Sequence, residues 1–343
     1  MSVPRRTFLL GGIAAVTGTA GTKPGPLRST HRLADSAVEG AHPIEHLQRV
    51  RLVLVESDNL LGPRPVIPTT HEQIRIIQQL RSTASGADRR ALLYLQAQYG
   101  EFASWLHHDA GDFRMAQHWT DRALEWSQTA GDPEMTAYIL ARKSQLAGDM
   151  RDPDSALDYA EAALELAPPH SRVKAAAAAY AAHAHALAGG HSRDAVLRMH
   201  DEARDILANL DNDRESPWAV WMDNAYLDVE RARCLSLLGK HNDATEIFQQ
   251  AIKEVPQGFR RDRGVYLARE ALAHANAGQP DQAAKAGTAA LSIAADTESG
   301  RIVHELAHLD TQLSRWQRVP EVVEFRDHLT TTLPQEKDWT PST

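Results

Sequence analysis

Apolar side chains recur at helical spacing along most of the chain. Ile44 and Leu47 lie three residues apart in a first stretch, and Ile74 and Ile77 have the same spacing in a second. A spacing of three to four is the period of an α-helix and not of a strand. Residues 61–65 (LGPRP) separate the stretches, and Gly and Pro stop helices. The sequence therefore predicts two amphipathic helices joined by a turn.

Beyond residue 88, one pattern recurs along the chain. A Gly comes near the end of one helix, polar residues follow, and then come two alanines that are in most instances seven residues apart. The first alanines are 40, 39, 49 and 39 residues apart, a period that is typical of a solenoid built from one repeated unit. The Gly and first alanine of the successive units are Gly111 and Ala116, Gly148 and Ala156, Gly190 and Ala195, Gly239 and Ala244, and Gly278 and Ala283.

Each residue of this pattern has a physical reason in a pair of packed helices, A and B. The Gly adopts the left-handed conformation that ends helix A at little cost. The alanines are small, so helix A can pack closely on helix B. Two helices with one apolar face each cannot bury it alone, and each pair must stack on the next. No stretch shows the sustained alternation of a strand bounded by hairpin turns, so we predict an all-α chain.

The fourth unit carries the residues of a known repeat. Its Gly, Ala, Phe, Ala and Pro resemble the tetratricopeptide repeat in type and spacing. This resemblance implies a right-handed α-solenoid of five to six tetratricopeptide-like helix pairs over residues 88–333, with the helical pair of residues 41–87 capping it. Residues 334–343 are predicted to form a disordered tail. The unit reads Leu238-Gly239-Lys240-His241-Asn242-Asp243-Ala244, followed by Phe248, Ala251 and Pro256.

Four further segments resemble the C-terminal sensor half of actinobacterial helix-turn-helix regulators of the XRE type, which carries such repeats. They are residues 58–63, 103–112, 119–125 and 316–322. The resemblance implies a peptide sensor in bacterial transcriptional signalling. The oligomeric state stays open between a monomer, a homodimer and a hetero-oligomer with related regulators. Residues 1–40 leave no room for a three-helix DNA-binding domain, so we expect no direct binding of nucleic acid. A truncated regulator, whose gene begins upstream, is an open alternative.

The composition argues against three classes of protein: those that coat nucleic acid, those held by disulfides or Cys-based zinc clusters, and those that span a membrane. The chain has 37 Lys and Arg against 45 Asp and Glu, for a net charge of −8, whereas proteins that coat nucleic acid depend on clustered cations. The single cysteine, Cys234, excludes an internal disulfide or a Cys-based zinc cluster, and we expect it to be buried. The longest apolar run, residues 8–20, is too short to span a membrane.

Residues 1–40 are predicted to be a flexible N-terminal segment. Arg5 and Arg6, the apolar run after them, and the small residues Gly18 and Ala20 form the plan of a twin-arginine export signal. In the regulators that the chain resembles, an Arg-Arg-x-Phe segment often lies between the DNA-binding domain and the repeats. We therefore favour a retained arm and a cytoplasmic protein, with export through the twin-arginine pathway as the alternative.

One metal-ligand motif occurs near the C-terminus. His304 and His308 project from one face of a helix and, with Glu305 as base, form the His-Glu-x-x-His pattern of zinc hydrolases. Glu324 is the candidate third ligand. Chance composition also produces such a match, and the segment falls where the first helix of the last repeat should lie. We favour the repeat helix and expect no cofactor, and an exported zinc-dependent hydrolase is the alternative.

The remaining chemistry is recognition, which predicts a non-catalytic regulatory or scaffold protein that binds a peptide or a partner protein. Helices A line the concave face of such a solenoid. Arg142 and Arg233 could clamp a carboxylate there, whereas Trp105 could instead belong to the core. At the end of the first helix A, residues 107–109 are expected to have a capping and surface role. The predicted groove residues are Trp105, His108, Tyr138, Arg142, Gln145, Tyr226 and Arg233.

Overall fold

The computed structural model describes residues 43–189, 192–210 and 216–332, and every regular element within these ranges is helical. A short 3-10 helix, Ser314–Trp316, accompanies the α-helices. The α-helices are α1 (Pro43–Leu61), α2 (Ile67–Thr83), α3 (Gly86–Asp109), α4 (Phe113–Ala130), α5 (Pro133–Asp149), α6 (Pro153–Leu166), α7 (Arg172–Ala188), α8 (Arg193–Ala208), α9 (Asn224–Leu237), α10 (His241–Glu254), α11 (Arg260–Asn276), α12 (Pro280–Thr297), α13 (Gly300–Leu313) and α14 (Pro320–Thr332).

From α3 onward, the helices alternate as A and B of six consecutive pairs. In the first five pairs the A helix packs on its own B helix, and each pair packs on the next, as in α5 on α7 and α12 on α14. The pair α1 and α2 packs against α3, at one end of the stack. The predicted all-α solenoid is confirmed. None of the described helices combines the length and apolarity that a membrane-spanning helix needs.

Helix A ends at a left-handed residue in most pairs, as the repeated Gly predicts. Gly111, Gly239 and Gly278 have φ angles of +83°, +75° and +75°. In the third pair the residue is Gly189, with φ of +70°. The prediction had placed it at Gly190, which lies outside the described residues. A residue without a Cβ adopts this conformation without a steric penalty, so the chain can turn directly into helix B.

The second pair departs from the pattern. Gly148 was predicted to end its helix A but lies inside α5, where a Cβ would come within 2.9 Å of Nδ1 of His183. Gly148 therefore permits the close approach of α5 to α7. The left-handed residue is Arg151, with φ of +62°. For a residue with a Cβ this conformation costs about 1–2 kcal/mol.

The alanines of helix B are buried as predicted, with one shift. Ala116 and Ala123 of the first pair are fully buried, and so are their counterparts in other pairs. Ala195 is only half-buried, and the buried residue is Val196, seven residues before the buried Ala203. The turn between the left-handed residue and helix B is two residues longer in this pair, which moves the buried face along the sequence.

The two ends of the solenoid meet. Helix α13 packs against α3. Gly300, at the start of α13, lies so close to the end of α3 that a Cβ there would come within 2.4 Å of the backbone of Ala110. The solenoid therefore closes on itself and encloses the side formed by the A helices, which we call the concave side.

A buried ion-pair network, here called the clasp, holds the two ends together. It consists of Asp58, Asp109, Arg261, Ser299 and Arg301. Arg261 donates to both carboxylates, reaching Asp58 at 2.8 and 2.9 Å. Arg301 Nε and Ser299 Oγ donate to Asp109 Oδ1 at 2.7 and 3.1 Å. Asp58 and Asp109 are 1% and 0% exposed, so water does not compensate their charges and the arginines of the clasp must do so.

The surface role expected for residues 107–109 is wrong. His107, His108 and Asp109 are 7%, 2% and 0% exposed. They end an A helix, and such an end faces solvent in an open solenoid. Here the start of α13 covers it, and Asp109 becomes part of the clasp.

Candidate functional site

Trp105 and three other predicted groove residues form a chain of contacts on the concave side. The guanidinium of Arg142 lies 4.8 Å from the centre of the Trp105 ring. Arg142 also donates to the side-chain oxygen of Gln145, and Gln145 Nε2 donates to Tyr226 Oη at 2.9 Å. Arg301 covers the Trp105 ring at 4.5 Å. The indole is 9% exposed and lies between two cations, so it is part of the core.

Glu101, a carboxylate that sequence reasoning missed, contacts two of the predicted groove residues. Glu101 Oε1 accepts a hydrogen bond from Tyr138 Oη at 3.0 Å and lies 3.4 Å from Nε of Arg142. Tyr226 Oη lies 3.2 Å from Tyr180 Oη. Burial raises the pKa of Tyr138 and of Tyr226 above the usual value, so both hydroxyls keep their protons at neutral pH.

Asp149, at the end of α5, gathers side chains from three other A helices. Its carboxylate lies 3.2 Å from His108 Nε2, 2.6 Å from Arg233 Nη2 and 3.2 Å from Arg269 Nη2. Burial disfavours the charged form, but Arg233, His108 and Arg269 together outweigh it and hold the pKa of Asp149 well below its usual range. Asp149 is therefore a charged carboxylate that connects the first, second, fourth and fifth pairs.

The two arginines predicted to clamp a carboxylate each hold a carboxylate of this chain. Arg233 is bound to Asp149 and, at 2.9 Å, to Glu230, and Arg142 lies beside Glu101. Their roles toward a ligand stay a prediction. The spacing of Glu230 and Arg233, three residues apart, was a local signal for one of these pairs, whereas Glu101 and Asp149 bind arginines of other helices and no local pattern marks them.

A cavity of about 330 Å³ with a mixed polar and apolar lining lies beside Asp149, between the A helices. We call it the concave cavity. The ends or faces of α5, α7, α9, α11 and α13 form its wall, and α10 adds one side chain. Its titratable lining residues are Asp149, Arg151, His183, Arg233, Arg269, His304, Glu305 and His308.

The His-Glu-x-x-His motif lines this cavity on α13, the first helix of the last pair, as predicted. The Nε2 atoms of His304 and His308 lie 3.3 Å apart. Glu305 Oε1 accepts from Arg269 Nε at 2.7 Å, so the candidate base is already ion-paired. In the described part of the chain, no three His, Cys, Asp or Glu side chains have an arrangement that could hold a metal ion. Glu324 therefore does not complete a site with the two histidines.

Replacing Glu305 with Gln separates the ion-pair role from a metal role. We expect the free energy of unfolding to fall by about 1–3 kcal/mol, because Arg269 loses a buried charged acceptor. Urea denaturation measures this change. Glu324→Gln, at an exposed position on α14, is the matched control and should leave stability unchanged. Stoichiometric zinc in the purified protein that is lost in His304→Ala would contradict the ion-pair interpretation.

The single cysteine is buried, as expected. Cys234 Sγ lies 3.2 Å from Nε2 of His200, and burial raises the pKa of its thiol. It is therefore a packed, protonated side chain of α9 rather than a reactive thiolate. The candidate export residues Arg5 and Arg6 lie outside the described residues.

Comparison with known proteins agrees with the repeat architecture. The tetratricopeptide-repeat family matches residues 137–170, which lie across α5 and α6. Among solved structures, the chain is similar to the crystal structure of a Rap protein complexed with competence and sporulation factor. The two chains share 14% identity over 88% of this chain and 90% of that one, with a TM-score of 0.57. At this identity the likeness shows the fold alone.

A search of the curated proteins gives no match to the chain. The family match over residues 137–170 confirms the presence of a tetratricopeptide repeat. The narrower resemblance to actinobacterial transcriptional regulators stays a prediction.

Proposed function

We propose that this protein is a non-catalytic binding protein that captures a peptide, or an extended segment of a partner protein, on its concave side. The observation that carries the proposal is the concave cavity. Hydrogen-bonding and charged side chains from five A helices surround an open volume of about 330 Å³. A volume near the lower end of ligand-site sizes suits a short segment and not a folded domain.

The contacts around the cavity support recognition by pre-organised groups. Arg233 and Arg269 are held in place by Asp149 and Glu305, so little side-chain entropy would be lost when a ligand binds. The similar solved structure contains a Rap protein with competence and sporulation factor bound. That likeness supports the proposal that a chain with this fold binds a ligand.

We further propose that the protein acts in bacterial signalling, as a cytoplasmic sensor module related to transcriptional regulators. The four resembling segments support this role. Such a module would act on a full-length relative, either by competing for the relative's ligand or by forming mixed oligomers. Co-purification from bacterial cells that recovers neither a regulator nor a peptide would count against it.

Filling the concave cavity is expected to abolish ligand capture. Ser236 lines the cavity and is half-buried, and no ion pair is lost when Trp replaces it. We expect Ser236→Trp to reduce the retention of peptides from a random octapeptide pool by more than tenfold, as measured by affinity selection and mass spectrometry. Lys253→Trp, at an exposed position on helix B of the same pair, is the matched control. Equal retention by the Ser236→Trp variant and the wild type would place the binding elsewhere.

A further inference from the structure

Arg151 occupies a backbone position that is glycine in the other described pairs whose A helix ends in this way. The N–H of Arg151 donates to the carbonyl of Gly148, three residues back. Gly111, Gly239 and Gly278 make the equivalent bond. All four residues have a positive φ, and only Arg151 carries a Cβ. An arginine thus stands where glycine would be less strained, and backbone strain of this kind is concentrated at functional sites.

The Arg151 side chain belongs to the concave cavity. It is among the lining residues, together with His183 and His308. Burial is the main reason that the pKa of His183 and of His308 is lowered, and the charge of Arg151 lowers both further. The guanidinium therefore acts on both histidines, which lie on α7 and α13.

Arg151 differs from the other two arginines of the cavity in its partners. Arg233 is paired with Asp149, and Arg269 is paired with both Asp149 and Glu305. Within the described ranges, no carboxylate lies within 4.0 Å of the Arg151 guanidinium. Its side chain is also exposed at the edge of the cavity. The N–H groups of the Arg151 guanidinium are therefore accessible to a ligand in the cavity.

We propose that Arg151 binds an anionic group of the ligand and that this group is a carboxylate, either a peptide C-terminus or an Asp or Glu side chain. The inference rests on the proposed function and names the ligand class for the same cavity. A planar guanidinium binds one carboxylate through two parallel hydrogen bonds. Arg233 and Arg269 neutralise the carboxylates of Asp149 and Glu305 in the same cavity, so Arg151 adds one uncompensated positive charge, which matches the single negative charge of a carboxylate.

The variant that tests the proposal is Arg151→Gly, which restores the residue found in the other pairs. It removes the guanidinium and relieves the positive-φ strain in one step. We expect the melting temperature to rise by about 2–4 °C, while affinity for a carboxylate falls by at least tenfold. A gain in stability with a loss of binding is a result that a purely structural arginine cannot give. Arg151→Lys keeps the charge without the planar fork and should show an intermediate affinity.

The probes are N-acetylglycine, which carries a free carboxylate, its neutral amide N-acetylglycinamide, and inorganic phosphate. Binding to the full chain is followed through the histidine ring signals in NMR titrations. We expect saturable shifts with N-acetylglycine, at roughly millimolar Kd for so small a ligand, and none with the amide. Octapeptide pools with free and with amidated C-termini then distinguish a C-terminal carboxylate from a side-chain one.

Three results would overturn the proposal. The first is equal affinity of the wild type and Arg151→Gly for N-acetylglycine. The second is tighter binding of phosphate than of N-acetylglycine, and the third is a lowered melting temperature in Arg151→Gly. The proposed function is tested separately by octapeptide retention. Peptide retention without any dependence on Arg151 removes only this inference, and Arg151-dependent carboxylate binding without peptide retention removes only the proposed function.

Discussion

Replacing Asp109 with Asn is expected to lower the free energy of unfolding by about 3–5 kcal/mol. The Asp109 carboxylate is fully buried and accepts hydrogen bonds from Arg261, Arg301 and Ser299. The amide has nearly the same shape, so no cavity forms. What is lost is the negative charge. Arg261 keeps Asp58 as its buried partner, and Arg301 keeps Asp262 at 3.4 Å.

Urea denaturation followed by circular dichroism measures the stability, and small-angle scattering measures the closure. In Asp109→Asn the ends of the solenoid should separate, which raises the radius of gyration. Asp121→Asn is the matched control, because Asp121 is 60% exposed in its pair with Lys143 and such pairs contribute at most about 1 kcal/mol. If Asp109→Asn does not fold, Arg261→Lys offers a milder test of the scattering change. Equal stability of the two Asn variants would show that the clasp contributes little.

Acidification is expected to lower the free energy of unfolding by several kcal/mol between pH 7 and pH 5. Burial is the main cause that lowers the pKa of His108 and His183, and it lowers that of His200 to about 3. In the unfolded chain these histidines titrate near pH 6.5. Below that pH the unfolded state binds more protons than the folded state, so stability falls as the pH falls. The slope is at most about 1.4 kcal/mol per pH unit for each histidine.

One histidine changes the free energy of unfolding in the opposite direction as the pH falls. A hydrogen bond from His274 to Glu270 raises the pKa of His274, so its contribution is present at low pH and is lost as the pH rises through the folded value. Denaturation at pH 5, 6, 7 and 8 measures the sum. His200→Gln removes one of the depressed histidines and should reduce the slope, whereas His170→Gln, at an exposed loop position, should not. A stability that is flat between pH 7 and pH 5 would contradict the prediction.

The helices and their pairing could be read from the sequence because they depend on local rules. A period of three to four places apolar residues on one face of a helix, and a glycine at positive φ ends a helix wherever it stands. Gly111, Gly239 and Gly278 carried that information, and the helical pairs they delimit are the ones in the structure. The rule failed at Gly148, where a close approach to α7 requires glycine inside the helix.

Only some residues of the candidate site could be predicted from the sequence in this way. Counting back along each A helix brought together Trp105, Arg142 and Tyr226, because the phase of a helix is a local property. Glu101, Asp149 and Glu230, which hold the two predicted arginines, were missed, and so was the pairing of Arg269 with Glu305. Apart from Glu230, which lies one turn from Arg233, these contacts join different helices, up to 120 residues apart in the chain, and no spacing within one helix reveals them.

By itself, the sequence determined the helical pairs and their order, because spacing and turn residues act over a few positions. The tertiary structure alone decided that the solenoid closes, since the clasp joins Asp58 and Asp109 to Arg261 across 203 and 152 residues. It also decided that Arg151 stands in a glycine position on the cavity. The closure of the solenoid and the position of Arg151 beside the cavity depend on the summed rotation of successive pairs. Packing between helices sets this rotation, and it leaves no local pattern in the chain.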